Sequence, residues 1–408
     1  MTVALTDIRD ARARIHAGTV RTPVVPALAL RERLPCALHL KLESAQRTGS
    51  FKDRGALNRL LDLDAGERSR GVVTASAGNH AQAVAYHGAR LGIPVEVVMP
   101  EHTPLVKVTN TRNFGAGVRF HGTTLSDAMT EARRLEAEER RVLVHAFDDD
   151  RVIAGQGTIG LELLEQLPEL TAVVVPIGGG GLISGIAVAI REQRPDVRIY
   201  GVEAAAAASA RASRRAGHVV RIETGDTIAD GIAVKRPGDR TFPLIERYVE
   251  DIVQVDEPEI AAAVHLLLER QKVLAEGAAA VPLAGLLNGQ IALRDDDVAV
   301  MIVSGGNIDV NLVGRIIDRG LVADGRLARL SVTMHDRPGS LAHVTRMVAD
   351  EGANVLEVSH RRAFADISVR DVEIVIYLET RGADHVTAVI RRLERDGVVV
   401  RVDPGSWE

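Results

Sequence analysis

Short, mostly apolar runs alternate with longer amphipathic segments from about residue 70 onward. The runs are GVVTA, VEVVMP, VRFH, TAVVVPI and DVAVMIVS. The segments between them repeat apolar residues with helical spacing, as in the stripe Leu125, Ala128, Met129, Ala132 and Leu135. Apolar strands separated by helices indicate a parallel sheet that is covered on both faces. This part of the chain therefore predicts an α/β fold.

The pattern changes after about residue 322. A glycine-bearing connector, residues 320–329, is followed by segments that read as strand, helix, strand, strand, helix and strand. The second of these strands is expected over residues 354–362. This order predicts a ferredoxin-like βαββαβ module. We therefore expect two domains, residues 1–322 and 327–408.

The composition argues against several classes of binding partner and site. The 408 residues carry a net charge of −5 and only 3% aromatic residues, which argues against nucleic acid and membrane partners. The lone Cys36 excludes an intrachain disulfide and a cysteine-cluster metal site. The N-terminal segment reads as an amphipathic helix and not as a signal peptide. We expect a cytoplasmic protein with no metal site.

Four consecutive glycines, Gly178 to Gly181, lie between the apolar run VVVPI and the helical segment LISGIAVAI. Glycines let the backbone approach an anion closely, and the start of a helix adds unpaired N–H groups. The spacing is neither GxGxxG nor GxxxxGK[ST], so it disfavours a dinucleotide or P-loop site. The segment predicts a phosphate-binding turn.

Two further polar turns follow predicted strands. SAGNH, residues 76–80, ends one strand and begins a helix, and SGGNID, residues 304–309, follows another strand. The first is equally compatible with an ordinary helix cap. Because the carboxyl ends of parallel strands form the ligand crevice of α/β sheets, we expect these turns to meet the glycine turn.

Lys52 lies in QRTGSFKDRGA, where turn-forming residues give way to a helical pattern. A lysine at such a junction suits a phosphate contact, a helix-start charge or a reactive amine. A phosphate-binding turn together with an isolated lysine, and no metal cluster, suggests pyridoxal phosphate. Burial can depress the pKa of a lysine and supply the neutral amine that this cofactor requires.

Seven motifs occur in the order found in threonine dehydratases: QRTGSFKDRGA, SAGNHAQAVA, GQGTIGLEL, VPIGGGGLISGIA, ADGIAV, EGAAA and SGGNID. Over roughly residues 5–320 the chain resembles these enzymes, which have the tryptophan-synthase-β-like, two-subdomain parallel-sheet fold of pyridoxal phosphate enzymes. The C-terminal module resembles an ACT domain, with DRPGSL as its first strand–helix loop. The resemblance implies a catalytic domain over 1–322, with a mobile small subdomain over roughly 45–150, and a regulatory ACT domain over 327–408.

The resemblance also implies roles for particular residues. Lys52 would form the Schiff base with pyridoxal 5′-phosphate and act as the general base. The other cofactor contacts would be Phe51, Asn79, Gly178, Gly179, Gly180, Gly181, Leu182 and, at the pyridine nitrogen, Ser304. The substrate carboxylate would bind the loop formed by Ser76, Ala77, Gly78, Asn79 and His80.

The implied reaction is the α,β-elimination of L-threonine to 2-oxobutanoate and ammonia, and of L-serine to pyruvate. Alternatives are a serine racemase, a threo-3-hydroxyaspartate ammonia-lyase and a non-catalytic amino-acid sensor. Related racemases have a second serine where this chain has Ala77. They also bind a divalent ion through a glutamate that corresponds to Glu203, but residues 204–209 offer no carboxylate here. We therefore expect elimination without a bound metal.

The ACT domain is either regulatory or a plain oligomerisation domain. In the regulatory case an amino acid or nucleotide effector would bind at paired modules in a homodimer or homotetramer. The expected effector contacts are Asp336, Gly339, Ser340, Leu341 and Asn354. Effector identity would decide between isoleucine biosynthesis and threonine catabolism. Two other residues remain open: Glu276 lies near the cofactor or merely starts a helix, and His145 reads as a packing or surface histidine.

Overall fold

The computed structural model describes residues 3–361 and 368–402, and the chain divides into two compact units, Met1–Ile308 and Asp309–Glu408. The strands of the first unit are β1 (Val24–Pro26), β2 (Ala37–Leu42), β3 (Val72–Ala75), β4 (Val95–Met99), β5 (Gly117–Phe120), β6 (Val142–Leu143), β7 (Ala172–Pro176), β8 (Arg198–Ala204), β9 (Asp251–Val255) and β10 (Val298–Val303). Its α-helices are α1 (Leu5–Ile15), α2 (Lys52–Leu61), α3 (Ala65–Arg70), α4 (Asn79–Leu91), α5 (Leu105–Asn113), α6 (Leu125–Glu139), α7 (Asp150–Gln166), α8 (Gly181–Arg191), α9 (Ser209–Ala216), α10 (Thr241–Tyr248), α11 (Glu257–Gln271) and α12 (Gly277–Leu287).

The larger sheet of this unit has the strand order β1-β2-β10-β7-β8-β9. Only β1 is antiparallel to its neighbour, and every other pair in the sheet is parallel. All five residues of β7 are buried, and its Val173 and Val175 pack with leucine and isoleucine side chains of α8 in one apolar cluster. The sequence prediction of strands covered on both faces is confirmed here.

The smaller sheet has the order β5-β4-β3-β6 and is parallel throughout. Alternate residues of β3 face different helices, because successive side chains of a strand point to opposite faces. Val72 packs in the cluster that contains α4, while Val73 and Ala75 pack with α6. Both faces of β3 are therefore apolar, which explains the uninterrupted run in the sequence.

Three helices of the first unit approach closely through glycines. A Cβ atom on Gly155 would lie 2.7 Å from the Arg54 carbonyl oxygen, so α7 touches the backbone of α2. A Cβ atom on Gly185 would lie 2.4 Å from the Ile153 carbonyl oxygen and 2.6 Å from the Gly157 nitrogen, so α8 touches α7. These contacts fix the starts of α2 and α8 relative to one another.

The second unit contains α13 (Val310–Ala323), β11 (Leu327–His335), α14 (Ser340–Asp350), β12 (Asn354–Arg361), β13 (Asp371–Glu379), α15 (Ala383–Arg395) and β14 (Val399–Val402). Its antiparallel sheet has the order β12-β13-β11-β14 and shares one apolar cluster with α14 and α15. The predicted βαββαβ order is confirmed. Arg362, the last residue of the predicted second strand, lies outside the described residues.

The predicted connector over residues 320–329 was wrong in extent. Gly320 lies inside α13, and β11 already begins at Leu327. The turn is made by Gly325, whose φ of +65° is easily adopted by glycine. In the parts of the chain that the structure describes, no helix combines the length and apolar character needed to cross a bilayer.

Candidate active site

Lys52 is the first residue of α2, and the loop before it is tied to the end of β10. Ser50 forms an isolated antiparallel bridge with Gly305. The Phe51 N–H donates to the Ser304 carbonyl oxygen at 3.0 Å. Both Phe51 and Lys52 are half-buried, and Ser304 is buried. The structure thus brings together three residues that were predicted to contact the cofactor.

The Lys52 amine lies in a desolvated position. Its Nζ donates to the Ala146 carbonyl oxygen at 2.8 Å and lies 5.0 Å from the centroid of the Phe51 ring. Burial lowers the pKa of Lys52 to about 8, and the negative charge of Glu276 opposes this shift. A large fraction of the amine is therefore neutral in mildly alkaline solution.

The two residues that follow Lys52 anchor the start of α2. The Asp53 carboxylate accepts hydrogen bonds from the Thr48 N–H at 3.0 Å and the Thr48 hydroxyl at 2.5 Å. The buried Arg54 guanidinium pairs with Glu43 at 2.8 Å and with Glu162 at 2.7 Å. Because these partners belong to other elements, the amine is presented from a rigid start of α2.

The four glycines follow β7, and Gly181 begins α8. Gly180 has a φ of +92°, a left-handed conformation that favours glycine. A Cβ atom would also meet a neighbour at each position: Ile232 Cα at 2.9 Å from Gly178, the Phe147 ring at 2.2 Å from Gly179, the Thr241 hydroxyl at 2.8 Å from Gly180, and Phe147 Cβ at 3.0 Å from Gly181. The turn therefore requires glycine. Leu182 follows it, buried, in the first turn of α8.

One short segment, residues 145–148, joins Lys52 to the glycine turn. Ala146 accepts the hydrogen bond from Lys52, and Phe147 packs against Gly179 and Gly181. His145 shapes the segment, since its Nδ1 accepts from the Phe147 N–H at 3.3 Å and the Asp148 N–H at 2.9 Å. Ala146 and Phe147 were not predicted as residues of the site. The only signal of this segment was that it follows β6, a strand too short to be predicted.

The SAGNH loop begins α4. The Ser76 hydroxyl accepts from the Gly78 N–H at 3.2 Å, so this side chain shapes its own turn. His80 is buried, and its Nε2 donates to the Val144 carbonyl oxygen at 3.0 Å. Burial, and then the positive charge of Lys52, lower the pKa of His80 to about 3. The imidazole is therefore neutral, and its hydrogen bond attaches the start of α4 to the residue that follows β6.

Asn79 connects this loop to two other segments. Its Nδ2 donates to the Glu276 carboxylate oxygens at 2.8 and 3.0 Å, and its Oδ1 accepts from Asn307 Nδ2 at 2.8 Å. Asn307 belongs to the SGGNID turn, so the ends of β3 and β10 meet in one polar network. Burial raises the pKa of Glu276 to about 7. Its side chain makes no cap hydrogen bond at the start of α12, so it is more than a helix-start residue.

Glu203 lies elsewhere, at the end of β8. Its carboxylate accepts the backbone N–H groups of Ala210 and Arg211, both at 2.8 Å. Burial raises the pKa of Glu203 to about 7. Its described partners are the first-turn amides of α9, which gives this buried carboxylate a local structural role.

The predicted effector residues lie in two places within the second unit. Asp336, Gly339, Ser340 and Leu341 occupy the turn and first residues between β11 and α14. Asn354 begins β12, and the sheet register places it level with Leu327 at the other end of β11. The nine residues of β11 span about 30 Å. One copy of this unit therefore does not bring the two groups together.

The arrangement around Lys52 fits pyridoxal phosphate. A turn that admits only glycine at the start of a helix suits a phosphate group. A half-buried amine with a lowered pKa suits a covalent link to an aldehyde. Ser50, two residues before Lys52, has a buried hydroxyl group without a hydrogen-bond partner.

Comparison with known proteins defines the class. Residues 15–305 match the family described as pyridoxal-phosphate dependent enzyme, and residues 328–397 match the ACT domain. The chain therefore belongs to the pyridoxal-phosphate-dependent enzymes and carries a C-terminal ACT domain. The predicted fold class and cofactor are confirmed.

Individual relatives and solved structures define the resemblance more narrowly than the family match does. The chain is 46% identical over 400 residues to the L-threonine ammonia-lyase of Thermotoga maritima, covering 98% of this chain and 99% of that relative. It resembles the processed form of threonine deaminase isoform 2 from Solanum lycopersicum, with 36% identity, a TM-score of 0.73 and coverage of 77% of this chain and 91% of that chain. It also resembles the serine racemase of Dictyostelium discoideum, with 37% identity, a TM-score of 0.72 and coverage of 76% and 100%. The predicted resemblance to threonine dehydratases is confirmed.

Proposed function

We propose that the protein is an L-threonine ammonia-lyase that converts L-threonine to 2-oxobutanoate and ammonia, and L-serine to pyruvate. One observation carries the proposal: the Lys52 amine, with its lowered pKa, is joined through residues 146–147 to a turn that admits only glycine. The relative from Thermotoga maritima, which aligns along nearly the whole chain, supports threonine as the substrate.

The site residues would share the work of holding the cofactor. When bound, pyridoxal 5′-phosphate supplies an electron sink for the electrons released at the substrate α-carbon. We assign its contacts to Lys52 for the covalent link, Asn79 for the 3′-oxygen, Phe51 for the ring, Ser304 for the pyridine nitrogen, and Gly178 to Gly181 with Leu182 for the phosphate. A serine hydroxyl at that nitrogen, unlike a carboxylate, does not force it to be protonated. This favours elimination over transamination.

Lys52 would act as the general base that removes the α-proton of the substrate. Its neutral Nζ removes the α-proton of the substrate, and desolvation supplies the neutral form. The β-hydroxyl group leaves with a proton as water, and the enamine that is released reacts with water to give the 2-oxo acid and ammonia. The loop from Ser76 to His80, at the N-terminus of α4, would bind the substrate carboxylate through its backbone N–H groups.

The racemase alternative is weaker because of Ala77. This half-buried residue packs beside the small-sheet cluster, and its methyl group can neither donate nor accept a proton on the second face of the substrate carbon. The Glu203 carboxylate already accepts two backbone N–H groups. The presence of Lys52, Asn79 and Ser304 argues against a non-catalytic sensor. A threo-3-hydroxyaspartate ammonia-lyase would use the same machinery and differs only in the β-substituent.

Regulation forms the second part of the proposal. Residues 1–322 would be the catalytic domain, with a mobile small subdomain over roughly 45–150, and residues 327–408 a regulatory ACT domain. An amino acid such as isoleucine or valine, or a nucleotide, would bind near Asp336–Leu341 and Asn354. Because one copy holds these two groups apart, a shared site requires two copies, and we propose a cytoplasmic dimer or tetramer. Such coupling is typically worth about 1–3 kcal/mol.

The test is 2-oxo acid release by the cofactor-loaded protein with L-threonine, L-serine and threo-3-hydroxyaspartate in parallel. We expect rapid release from threonine, loss of that release in Lys52→Ala, and retention in the control Lys272→Gln, which changes an exposed lysine at the end of α11. Preference for hydroxyaspartate would reassign the substrate. No release from any substrate despite bound cofactor would overturn the proposal, and racemisation would then be assayed.

A further inference from the structure

The amide of Asn79 is held at both of its polar atoms. The Nδ2 group lies 2.8 and 3.0 Å from the two carboxylate oxygens of Glu276, and the Oδ1 atom lies 2.8 Å from Asn307 Nδ2. An amide has two N–H groups on its nitrogen. If one of these N–H groups donates to the Glu276 carboxylate, the other is available to donate to a second acceptor.

Asn307 determines the direction in which this series of hydrogen bonds runs. Asn307 Nδ2 also donates to the Thr48 carbonyl oxygen at 2.7 Å, and a carbonyl oxygen can only accept. Both N–H groups of Asn307 are thereby used, so the atom of Asn79 that faces it must be the oxygen. The nitrogen of Asn79 must then face Glu276. Asn307 itself packs against Gly49, where a Cβ atom would lie 2.5 Å from its Oδ1.

Glu276 ends this series of hydrogen bonds from its position just before α12. Its side chain is buried, and a Cβ atom on Gly305 would lie 2.7 Å from Oε1, so the carboxylate is tightly enclosed. Asn79 begins α4 beside the small sheet. Asn307 follows β10 of the larger sheet, and Glu276 immediately precedes α12, a helix that packs against the strands of that sheet. The three residues therefore connect the two sheets at the point where Lys52 emerges.

We propose that Glu276 is a positioning residue that, as a carboxylate, fixes the Asn79 amide with one N–H free to hold the 3′-oxygen of pyridoxal 5′-phosphate. The inference rests on the proposed function, because it takes Asn79 as a cofactor contact. The Asn307 hydrogen bond holds the Oδ1 end of the Asn79 amide, and the Glu276 carboxylate holds the Nδ2 end. Without Glu276 only the first of these two restraints remains, so the direction of the Asn79 N–H groups is less well fixed.

The surroundings of Glu276 make this positioning sensitive to pH. Burial raises its pKa to about 7; the Asn79 hydrogen bond, Lys107 and Lys52 favour the carboxylate, while Asp230 disfavours it. Protonation would turn one acceptor oxygen into a donor facing the Asn79 N–H. The geometry described here is therefore complete above pH 7 and is lost as the pH falls below it.

The variant Glu276→Gln tests the carboxylate, because glutamine keeps the shape and one acceptor oxygen but loses the second acceptor and the charge. We expect its dissociation constant for pyridoxal 5′-phosphate, measured by absorption titration at pH 8, to rise about tenfold. The wild-type constant should rise between pH 8 and pH 6, and this dependence should flatten in the variant. The control Glu246→Gln, which removes a partly exposed carboxylate paired with Arg214, should behave as wild type.

A double-variant cycle shows whether Glu276 acts through Asn79. The cofactor affinity of Glu276→Gln/Asn79→Ala should equal that of Asn79→Ala alone, since residues that act as one unit are not additive. Glu276→Asp, which keeps the charge, should retain the pH dependence and covers the case in which Glu276→Gln does not fold. Additive effects, or a wild-type affinity and pH profile in Glu276→Gln, would refute the inference. Because cofactor affinity is measured without substrate, failure of threonine turnover would count against the proposed function alone.

Discussion

The substitution Gly180→Ala provides the sharpest test of why the glycine turn consists of glycine. Gly180 has a φ of +92°, and a Cβ atom there would lie 2.8 Å from Ile245 Cδ1 and 2.8 Å from the Thr241 hydroxyl. That hydroxyl donates to the Gly179 carbonyl oxygen at 2.6 Å and accepts from the Gly238 N–H at 3.0 Å. An added methyl group would therefore disturb the hydrogen bonds that shape the turn.

A matched control separates the two costs of this substitution. Gly289 also has a positive φ, +73°, but a Cβ atom there would have no neighbour within 4 Å. Both alanine variants should lose about 1–2 kcal/mol because of the left-handed backbone. Only Gly180→Ala should lose a further 1–3 kcal/mol, roughly, from overpacking against Ile245 and Thr241.

Denaturant unfolding of the cofactor-free variants measures these free energies, and absorption titration measures their affinity for pyridoxal 5′-phosphate. We expect Gly180→Ala to be the less stable variant and to bind the cofactor at least about tenfold more weakly, which corresponds to roughly 1.4 kcal/mol. Gly289→Ala should bind it normally. Equal stability and equal affinity of the two variants would show that Thr241 and Ile245 do not confine the turn as described.

Four further predictions concern stability. Gly185→Ala should lower the free energy of unfolding by about 1–3 kcal/mol, since its Cβ would strike the backbone of α7. Gly314→Ala, inside α13 with nothing within 4 Å, should gain about 0.5–1 kcal/mol, and thermal unfolding of the two variants would check both signs. Arg54→Met should lower the free energy of unfolding by about 3–5 kcal/mol in denaturant unfolding, because the buried carboxylates of Glu43 and Glu162 lose the guanidinium group that they share. Glu203 has a folded pKa of about 7 against an ordinary 4.5, so between these pH values the folded state holds a proton that the unfolded state has lost. Stability should therefore fall by about 3 kcal/mol as the pH rises through this window, and unfolding at stepped pH should show a flatter profile in Glu203→Gln.

Much of the fold could be predicted because its strands are apolar on both faces. The runs that became β3, β7 and β10 are buried almost throughout, so hydrophobic pattern alone located them. The pattern failed near the boundary between the units. Gly320 reads as a loop residue, yet it lies in α13, where Ile316 is the only residue classed as buried among those described in this helix. Glycine is an unfavourable residue in a helix interior, so a glycine near the end of a helical pattern indicates a loop when only the sequence is considered.

The site was predictable only where its residues sit in local motifs. Lys52, Asn79 and the glycine turn each follow a recognisable junction between elements. The partners of these residues are distant in sequence: Ala146 lies 94 positions from Lys52, Glu276 lies 197 from Asn79, and Asn307 lies 228 from Asn79. Such pairs arise from sheet order and helix packing, which local periodicity does not report. Residues 146–147 and Asn307 were therefore missed, and the role of Glu276 stayed open.

The position of β10 determines when the site can assemble. This strand lies between β2 and β7 in the larger sheet, although almost the whole first unit precedes it in the chain. During synthesis, β2 has no inner neighbour until β10 has been made. The loop before Lys52 likewise lacks its hydrogen-bond partners until Ser304 and Gly305 have been made. Pairing over such a separation is slow, since a long loop must close first. A nascent chain that ends before residue 298 therefore has a gap in the middle of its sheet. Capture of the cofactor becomes one of the last events in the maturation of the first unit.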